Sequence, residues 1–213
     1  MFIKIHDLVN QFRLQIRGII HVGAHYAEEA EDYKNQNINK VIWIEANPRI
    51  MDGLRGILAN FPGNVCHSFA AYSEDDKVMN FNITNNGQSS SLLEFGLHQV
   101  YHPDVTMVDK CDVTTKRMDT FMKENPQYDP RDYNFLNLDI QGAELEALKG
   151  FGYLLKHVDY IYSEVNSDHV YKNCALVEEL DSYLDAFGFK RVRTAWTQAK
   201  WGDAFYIKVV RPM

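Results

Sequence analysis

The sequence predicts an open α/β sheet, mostly parallel, with helices on both faces and an antiparallel hairpin at its carboxyl-terminal end. A short apolar run, residues 18–22, stops at Gly23 and turns directly into a helix. A second run, residues 40–45, contains a predicted strand over 41–45 and ends in an acid about 20 residues after that turn. The last two strands have no helix between them, so they must pair antiparallel. A strand, a glycine turn, a helix and a strand ending in an acid form a nucleoside-binding half of such a sheet.

The helices of this first half follow from spacing and capping signals. Residues 7–17 place apolar side chains at helical spacing, which predicts a leading helix against the sheet. The acidic start of residues 27–37 suits a helix amino terminus. Residues 48–60 form the next helix, with Asn47 as its cap and Pro48 in its first turn.

The middle of the chain predicts two strands and a long irregular segment. Residues 65–72 form a third strand, and residues 78–84 alternate like a half-exposed fourth one. A polar, turn-rich loop over 85–91 leads into a stretch of little periodicity that reaches about residue 103. Long irregular segments in compact domains are commonly functional, so we expect a lid or an acceptor-binding loop here.

The second half continues the sheet and places two acids near strand ends. Helices are predicted over 118–123, 143–148 and 175–187, and extended segments over 113–115, 134–140, 157–165, 189–195 and 204–210. Asp139 and Glu164 lie near the ends of two of these strands. Ligands of open α/β sheets bind in the crevice outside the carboxyl ends of the strands.

The size and charge of the chain narrow the function classes. Its 213 residues suit one domain, with a leading helix over 1–17 and a catalytic core over 18–210. Lys and Arg total 22 against 29 Asp and Glu, so the net charge is −7. Without a basic cluster, long nucleic acid is an unexpected partner.

The sequence predicts a cytoplasmic protein with no membrane partner. Cys66, Cys111 and Cys174 have no metal or redox spacing, which favours reduced thiols. The amino terminus lacks the features of a signal peptide, and no apolar stretch approaches the roughly 20 residues that span a bilayer. The oligomeric state is left open.

The glycine pattern favours S-adenosylmethionine as the cofactor. Gly23 stands without the second and third glycines that bring a backbone close to a pyrophosphate. S-adenosylmethionine contains no phosphate, and its methyltransferases finish a parallel sheet with an antiparallel hairpin.

Several segments resemble the FkbM-like methyltransferases, over about residues 18–208. The matching segments are 21–24, 43–48, 70–73, 88–92, 138–144, 148–150, 163–165 and 202–203. The resemblance implies a class I methyltransferase (Rossmann-like) fold and methyl transfer to an acceptor oxygen, often a sugar or polyketide hydroxyl. The family usually has Asp at the position of His21 and a second glycine at the position of Ala27.

The cofactor-binding residues are expected around the first two strand ends. Glu45 is predicted to grip the two ribose hydroxyls; the alternative is a solvated carboxylate at a strand end. Gly23 and Ala24 are predicted to form the cofactor turn, against the alternative of a plain βα turn. The remaining candidates for cofactor contact are His25, Asn47, Ala71 and Asp139.

The catalytic candidates are Asp139, Glu164, His169 and His25. Asp139 is expected to contact the methionine amino group or the acceptor hydroxyl; the alternative is a helix cap. Methyl transfer to a hydroxyl gains most from positioning, and a general base removes the hydroxyl proton. Glu164, His169 and His25 are the alternatives for that base.

The acceptor side is predicted less specifically. Ser89, Ser90, Ser91, Asn166 and Trp201 are candidates for binding a small hydroxylated acceptor, a sugar or glycan. No metal is expected. If Mg²⁺ takes part, its ligands would be Asp139, Glu164 and Asp203.

Two other functions stay open at this point. A nicotinamide-dependent oxidoreductase would share the first half of the fold, although the glycine pattern and the terminal hairpin oppose it. A catalytically degenerate binding or scaffold protein would also keep the fold. Acids retained at three strand ends, Glu45, Asp139 and Glu164, speak against decay.

Overall fold

The computed structural model describes residues 2–209. Its strands are β1 (Ile19–Val22), β2 (Val41–Glu45), β3 (Asn64–Ser68), β4 (Ala70–Ala71), β5 (Val78–Thr84), β6 (Met107–Lys116), β7 (Phe135–Leu138), β8 (Tyr160–Asn166), β9 (Phe189–Trp196) and β10 (Trp201–Lys208). Its α-helices are α1 (Ile5–Phe12), α2 (Ala30–Asn35), α3 (Met51–Leu58), α4 (His98–Tyr101), α5 (Met118–Glu124), α6 (Glu144–Phe151) and α7 (Val177–Asp185). Short 3-10 helices cover Pro48–Ile50, Pro130–Asp132 and Gly152–Lys156.

The main sheet has seven strands in the order β3–β2–β1–β7–β8–β10–β9. Its pairs are parallel except that β10 runs antiparallel to both β8 and β9. The predicted open sheet with a terminal hairpin is therefore confirmed. The chain order reverses between β1 and β7, and that switch point is where open α/β sheets bind their ligands.

Alternation along the central strands builds a core on each face of the sheet. Ile20 and Val22 of β1 pack with apolar side chains of α5, α6 and α7. Ile19 of β1 and Trp43 of β2 pack on the other face with side chains of α1, α2 and α3. Successive residues of a strand point to opposite faces, so both faces of these strands are buried.

A second sheet of three strands, in the order β4–β6–β5, was not predicted. The predicted third strand over 65–72 divides at Phe69, where β3 ends and the chain leaves β2 to pair with β6. The predicted extended segment over 113–115 is the end of a ten-residue strand. Four of its first six residues are exposed and three of those six are charged, so the strand lacks the apolar pattern of a buried one.

Backbone conformation explains why two helices differ from the predicted bounds. The leading helix stops at Phe12 because Arg13 is left-handed, with φ of 52°. The helix predicted from residue 27 begins at Ala30, since His25 and Ala27 adopt positive φ. The predicted strand over 204–210 ends at Lys208, and its last predicted residue, Val210, lies outside the described residues, as does Met1 of the leading segment.

Within residues 2–209, no helix combines the length and apolar character that crossing a bilayer requires.

Candidate functional site

A cleft of about 830 Å³ opens at the carboxyl ends of the central strands. It lies at the switch point between β1 and β7, and the loop that joins β5 to β6 also lines it. Small-molecule sites occupy roughly 300–1,000 Å³, so the cleft has room for a cofactor together with a small acceptor.

The turn after β1 is tight because Gly23 sits against β7. Its φ is +93°, and a Cβ at this position would lie 1.8 Å from the backbone oxygen of Asp139. The N–H groups of Gly23 and Ala24 both donate to the carbonyl of Ile44, at 2.9 and 3.0 Å. Only glycine fits this position, and the turn holds the ends of β1, β2 and β7 together.

Glu45 ends β2 at the edge of the cleft with 6% of its surface exposed. Its Oε2 accepts from the N–H of His25 at 2.8 Å, and its Oε1 accepts from the N–H of Asn47 at 2.7 Å. Burial raises the pKa of Glu45. Each carboxylate oxygen keeps a further acceptor site for a ligand hydroxyl.

Asp139 and Glu164, near the ends of β7 and β8, are joined by Gln141. The Nε2 of Gln141 lies 2.8 Å from both Oδ1 of Asp139 and Oε2 of Glu164. The hydroxyl of Tyr171 donates to Oε1 of Gln141 at 2.6 Å and thereby fixes the orientation of the amide. Burial and the neighbouring carboxylates of Asp139 and Glu144 raise the pKa of Glu164 well above its usual value.

Glu144, the first residue of α6, accepts hydrogen bonds from the loop that precedes the helix. Its Oε1 accepts from the N–H groups of Ile140 and Gly142, both at 3.1 Å. Burial raises its pKa to about 7. The side chain stabilises the loop that carries Gln141.

His25 lines the cleft but is engaged with a carboxylate. Its Nδ1 lies 2.6 Å from Oε1 of Glu28, and this hydrogen bond raises the pKa of His25. Asp203 is also engaged: it accepts from the backbone N–H of Phe2 at 2.6 Å and from the hydroxyl of Tyr162.

The structure brings most of the predicted site residues together. Those that line the cleft are Gly23, His25, Glu45, Asn47, Ala71, Ser89, Ser90, Asp139, Glu164, Trp201 and Asp203. Four predicted residues are not part of its lining: Ala24, Ser91, Asn166 and His169.

The residues outside the lining have other surroundings. The hydroxyl of Ser91 donates to the backbone carbonyl of Gln141 at 2.8 Å and so supports the loop from behind. Nδ1 of His169 lies 3.2 Å from the carbonyl of Cys174. Asn166 and Ala24 are buried, with about 1% of their surface exposed.

His21 occupies the position where the FkbM-like family usually has Asp. Its ring stacks on Trp43 with centroids 4.5 Å apart, and Nδ1 lies 3.0 Å from the hydroxyl of Tyr33. Burial lowers its pKa to about 4, so the ring is neutral at pH 7. The imidazole therefore fills a buried, partly aromatic site that an unpaired carboxylate would not suit.

Gln141 and Tyr171 are the functional candidates that sequence reasoning missed. Gln141 lies between Asp139 and Gly142 in the matching segment 138–144, and that position was the signal that could have identified it. Tyr171 lies in the connection after β8 with no periodicity to mark it. Among residues 2–209, no group of three or more His, Cys, Asp or Glu side chains is arranged to hold a metal ion.

The cleft is strongly acidic. Among the described residues its lining includes the carboxylic side chains Glu28, Glu29, Asp32, Glu45, Asp139, Glu164 and Asp203. The only Lys or Arg among those lining residues is Lys4. Such a site attracts cationic ligands, repels phosphates and admits neutral ligands.

Comparisons with known proteins agree with this geometry. A family model described as the methyltransferase FkbM domain matches residues 21–191. A search of curated proteins finds no match.

Among solved structures, a Streptococcus pneumoniae protein described as a candidate tRNA (m1A22) methyltransferase, in complex with S-adenosyl-L-methionine, has a TM-score of 0.53 and 11% identity. The match covers 95% of this chain and 71% of that chain. A candidate RNA methyltransferase from Pyrococcus horikoshii has a TM-score of 0.50 and 10% identity, over 95% and 80% of the two chains. An uncharacterized protein from Listeria monocytogenes has a TM-score of 0.51 and 9% identity, over 92% and 63%. The fold is that of the class I methyltransferases.

Proposed function

This chain belongs to the FkbM methyltransferase family, and we propose that it transfers a methyl group from S-adenosylmethionine to a hydroxyl of a small uncharged acceptor, a sugar or a glycan. One observation carries the proposal. A single acidic cleft holds the Gly23 turn, the buried carboxylate of Glu45 and the Asp139–Glu164 pair. These are the parts needed to bind a nucleoside and to orient a hydroxyl beside it.

The methyl donor is S-adenosylmethionine, and the residues of the cleft fit it. When bound, this cofactor supplies an electrophilic methyl group on a cationic sulfonium. The acidic lining suits that positive charge, whereas a single lysine, Lys4, offers little to the pyrophosphate of a nicotinamide dinucleotide. Glu45 would accept hydrogen bonds from the ribose hydroxyls, and Gly23, Ala24, His25, Asn47 and Ala71 would form the wall around the nucleoside.

The acceptor is proposed to be uncharged because of the same lining. Recognition of RNA depends on Lys and Arg side chains that neutralise phosphates. Within residues 2–209, the cleft offers seven carboxylic side chains against one lysine. An RNA substrate, such as those named for two of the structural neighbours, is therefore not proposed for this chain.

Asp139 is the proposed partner of the acceptor hydroxyl. Burial and nearby carboxylates raise the pKa of Glu164 and so favour its protonated form, which cannot accept another proton. His25 is held by Glu28, and His169 does not line the cleft. Gln141 donates to Asp139 and fixes its carboxylate, which can then orient the hydroxyl and take its proton.

We also propose a cytoplasmic location. Cys66, Cys111 and Cys174 all carry free thiols in the structure, which supports a reducing compartment.

A panel of acceptors tests the proposed function. The purified protein is incubated with S-adenosylmethionine and neutral methyl glycosides, phosphorylated sugars or short RNAs, and release of S-adenosylhomocysteine is measured. Turnover is expected with a neutral glycoside and is expected to fall at least 100-fold in Asp139→Asn. Asp168→Asn, outside the cleft lining, is the matched control and should keep its rate. Turnover with RNA alone would refute the proposed acceptor class.

A further inference from the structure

The loop between β5 and β6 brings two histidines to the cleft. The four-residue helix α4 starts at His98, and His102 follows directly after its end. Both side chains line the cleft. Neither residue has a part in binding the nucleoside or in the Asp139–Glu164 pair.

The start of α4 is fastened to the segment that follows β8. The N–H groups of Gly96 and His98 both donate to the carbonyl of Val170, at 2.9 and 3.0 Å. A Cβ on Gly96 would lie 2.3 Å from the backbone oxygen of His169, so this approach requires glycine. The position of His98 is therefore set by the backbone as well as by side-chain packing.

The two imidazoles have unused hydrogen-bonding atoms although they are largely enclosed. His98 is 4% exposed and stacks on Phe95, with centroids 4.2 Å apart and planes 6° apart. Its Nδ1 has no hydrogen-bond partner, and neither does Nε2 of His102, whose ring centroid lies 5.1 Å from that of His98. Buried polar atoms are nearly always paired in folded proteins. Both nitrogens are enclosed, but both residues line the cleft, so a turn of either ring would bring its unpaired nitrogen to a ligand there.

The chemistry of these rings suits hydroxyl groups. Burial and the nearby ring of His102 lower the pKa of His98 to about 4, so its imidazole is neutral at pH 7. A neutral imidazole has one donor nitrogen and one acceptor nitrogen. A hydroxyl group can both donate and accept, so it can pair with either nitrogen. It offers no charge to a phosphate or a carboxylate.

The adjacent walls are aromatic and apolar. The ring of Tyr171 lies 5.4 Å from that of His98, centroid to centroid. Trp201 packs against the same small cluster, which includes Val170 and Tyr171. Aromatic faces with polar groups beside them suit a sugar ring, which has apolar C–H surfaces and hydroxyl edges.

We infer that His98 and His102 form the acceptor subsite of the cleft and bind hydroxyls of a neutral sugar ring that packs against Tyr171 and Trp201. This inference rests on the proposed function, because it assumes an uncharged hydroxylated acceptor. It assigns acceptor specificity to two residues outside the short segments, such as 88–92 and 138–144, that carry the family resemblance.

Titration of the wild-type protein, saturated with S-adenosylhomocysteine, tests the subsite. Methyl glycosides of neutral hexoses are added, and the ring C–H resonances of the histidines are followed by NMR. The His98 and His102 signals are expected to shift with the best-bound glycoside, whereas those of His6, exposed on α1, should not. This measurement needs no variant and is unaffected by any folding defect.

Paired variants then separate hydrogen bonding from shape. His98→Phe keeps the stack on Phe95 and removes the nitrogens, and is expected to weaken glycoside binding at least 10-fold. His98→Asn replaces Nδ1 with a polar atom and should recover part of that loss. His102→Phe and His102→Gln form the equivalent pair for Nε2. The dissociation constant of S-adenosylhomocysteine should stay within twofold throughout.

The outcomes distinguish this inference from the proposed function. If a glycoside binds the wild type and is methylated, but the Phe variants bind it within twofold of wild type, the subsite is wrong and the proposed function stands. If no neutral glycoside binds or is methylated while S-adenosylhomocysteine binds normally, both are refuted. Shifts of both ring signals together with the 10-fold losses would support both.

Discussion

The substitution Glu45→Gln tests the assignment of the ribose site most sharply. Both oxygens of Glu45 accept from backbone N–H groups, those of His25 and Asn47. Glutamine keeps one acceptor oxygen but turns its NH₂ group toward the other amide. Alanine would leave the backbone N–H groups of His25 and Asn47 without the carboxylate that they bond, so glutamine perturbs the cleft less.

The size of the effect follows from the hydrogen bonds that are lost. A hydrogen bond to a charged group contributes about 1.5–3 kcal/mol, and each 1.4 kcal/mol is tenfold in affinity, so losing one ribose bond weakens cofactor binding roughly 10- to 150-fold. One mispaired backbone amide costs about 1–3 kcal/mol, which lowers the Tm by roughly 2–12 °C in a chain of this size. The lower end of this Tm range is expected, because the neutral amide of glutamine avoids the burial penalty that raises the pKa of Glu45.

Calorimetric titration with S-adenosylhomocysteine measures the affinity, and thermal unfolding of the free protein measures the stability. Asp32→Asn is the matched control, since Asp32 lines the same cleft but is solvent-exposed. It removes the same charge and should change the dissociation constant less than twofold. A Glu45→Gln protein that binds as tightly as wild type would show that Glu45 does not hold the ribose. Because the pKa of Glu45 is raised, the affinity of the wild type for S-adenosylhomocysteine should fall as the pH drops through that raised pKa.

Three further substitutions have definite expected outcomes. Tyr171→Phe removes the donor that orients Gln141 and should lower kcat several-fold in a methyl-transfer assay, with little change in cofactor affinity. Glu144→Gln keeps the oxygen that accepts from Ile140 and Gly142. Because the folded pKa of Glu144, about 7, lies above the ordinary 4.5, the wild type loses stability as the pH rises through this window. Relative to wild type, the variant should therefore gain about 3 kcal/mol in urea unfolding between pH 4.5 and pH 8. Gly23→Ala should abolish cofactor binding in calorimetry, because its Cβ would lie 1.8 Å from a backbone oxygen, whereas Gly56→Ala, with nothing within 4 Å, should leave binding unchanged.

Each of these has a contradicting result. An unchanged kcat in Tyr171→Phe would mean that the amide of Gln141 needs no orientation. A parallel pH dependence of wild type and Glu144→Gln would place the folded pKa of that carboxyl near its ordinary value. Tight cofactor binding by Gly23→Ala would mean that the turn after β1 relaxes without loss.

The sequence was sufficient to predict the parts of the fold that depend on buried apolar runs. Val41–Glu45 and Val78–Thr84 were predicted with the bounds that the structure has. The second sheet was missed because its long strand, Met107–Lys116, is mostly exposed and polar. The break at Phe69 was missed because the apolar run continues through it, and only pairing with β6 reveals it.

The residues of the candidate site could also be predicted from sequence only in part. Acids at strand ends could be placed from sequence because parallel strands end at one edge, and Glu45, Asp139 and Glu164 do line one cleft. The raised pKa of Glu164 depends on burial and on carboxylates that converge from separate elements, which spacing along the chain does not show. His98 was missed because its four-residue helix is held by contacts with the distant Val170 rather than by a local pattern.

The most direct test of the account is to follow the methyl carbon itself. The protein is incubated with S-adenosylmethionine labelled with ¹³C at the methyl group and with the neutral methyl glycoside that it binds best, and the product is identified by NMR. The expected product carries a labelled methyl group bonded to a sugar oxygen and forms together with one equivalent of S-adenosylhomocysteine. Label on nitrogen or carbon, or on RNA in a parallel reaction, would contradict it. Binding of S-adenosylhomocysteine without transfer to any glycoside would favour a scaffold that has kept the fold and lost the chemistry.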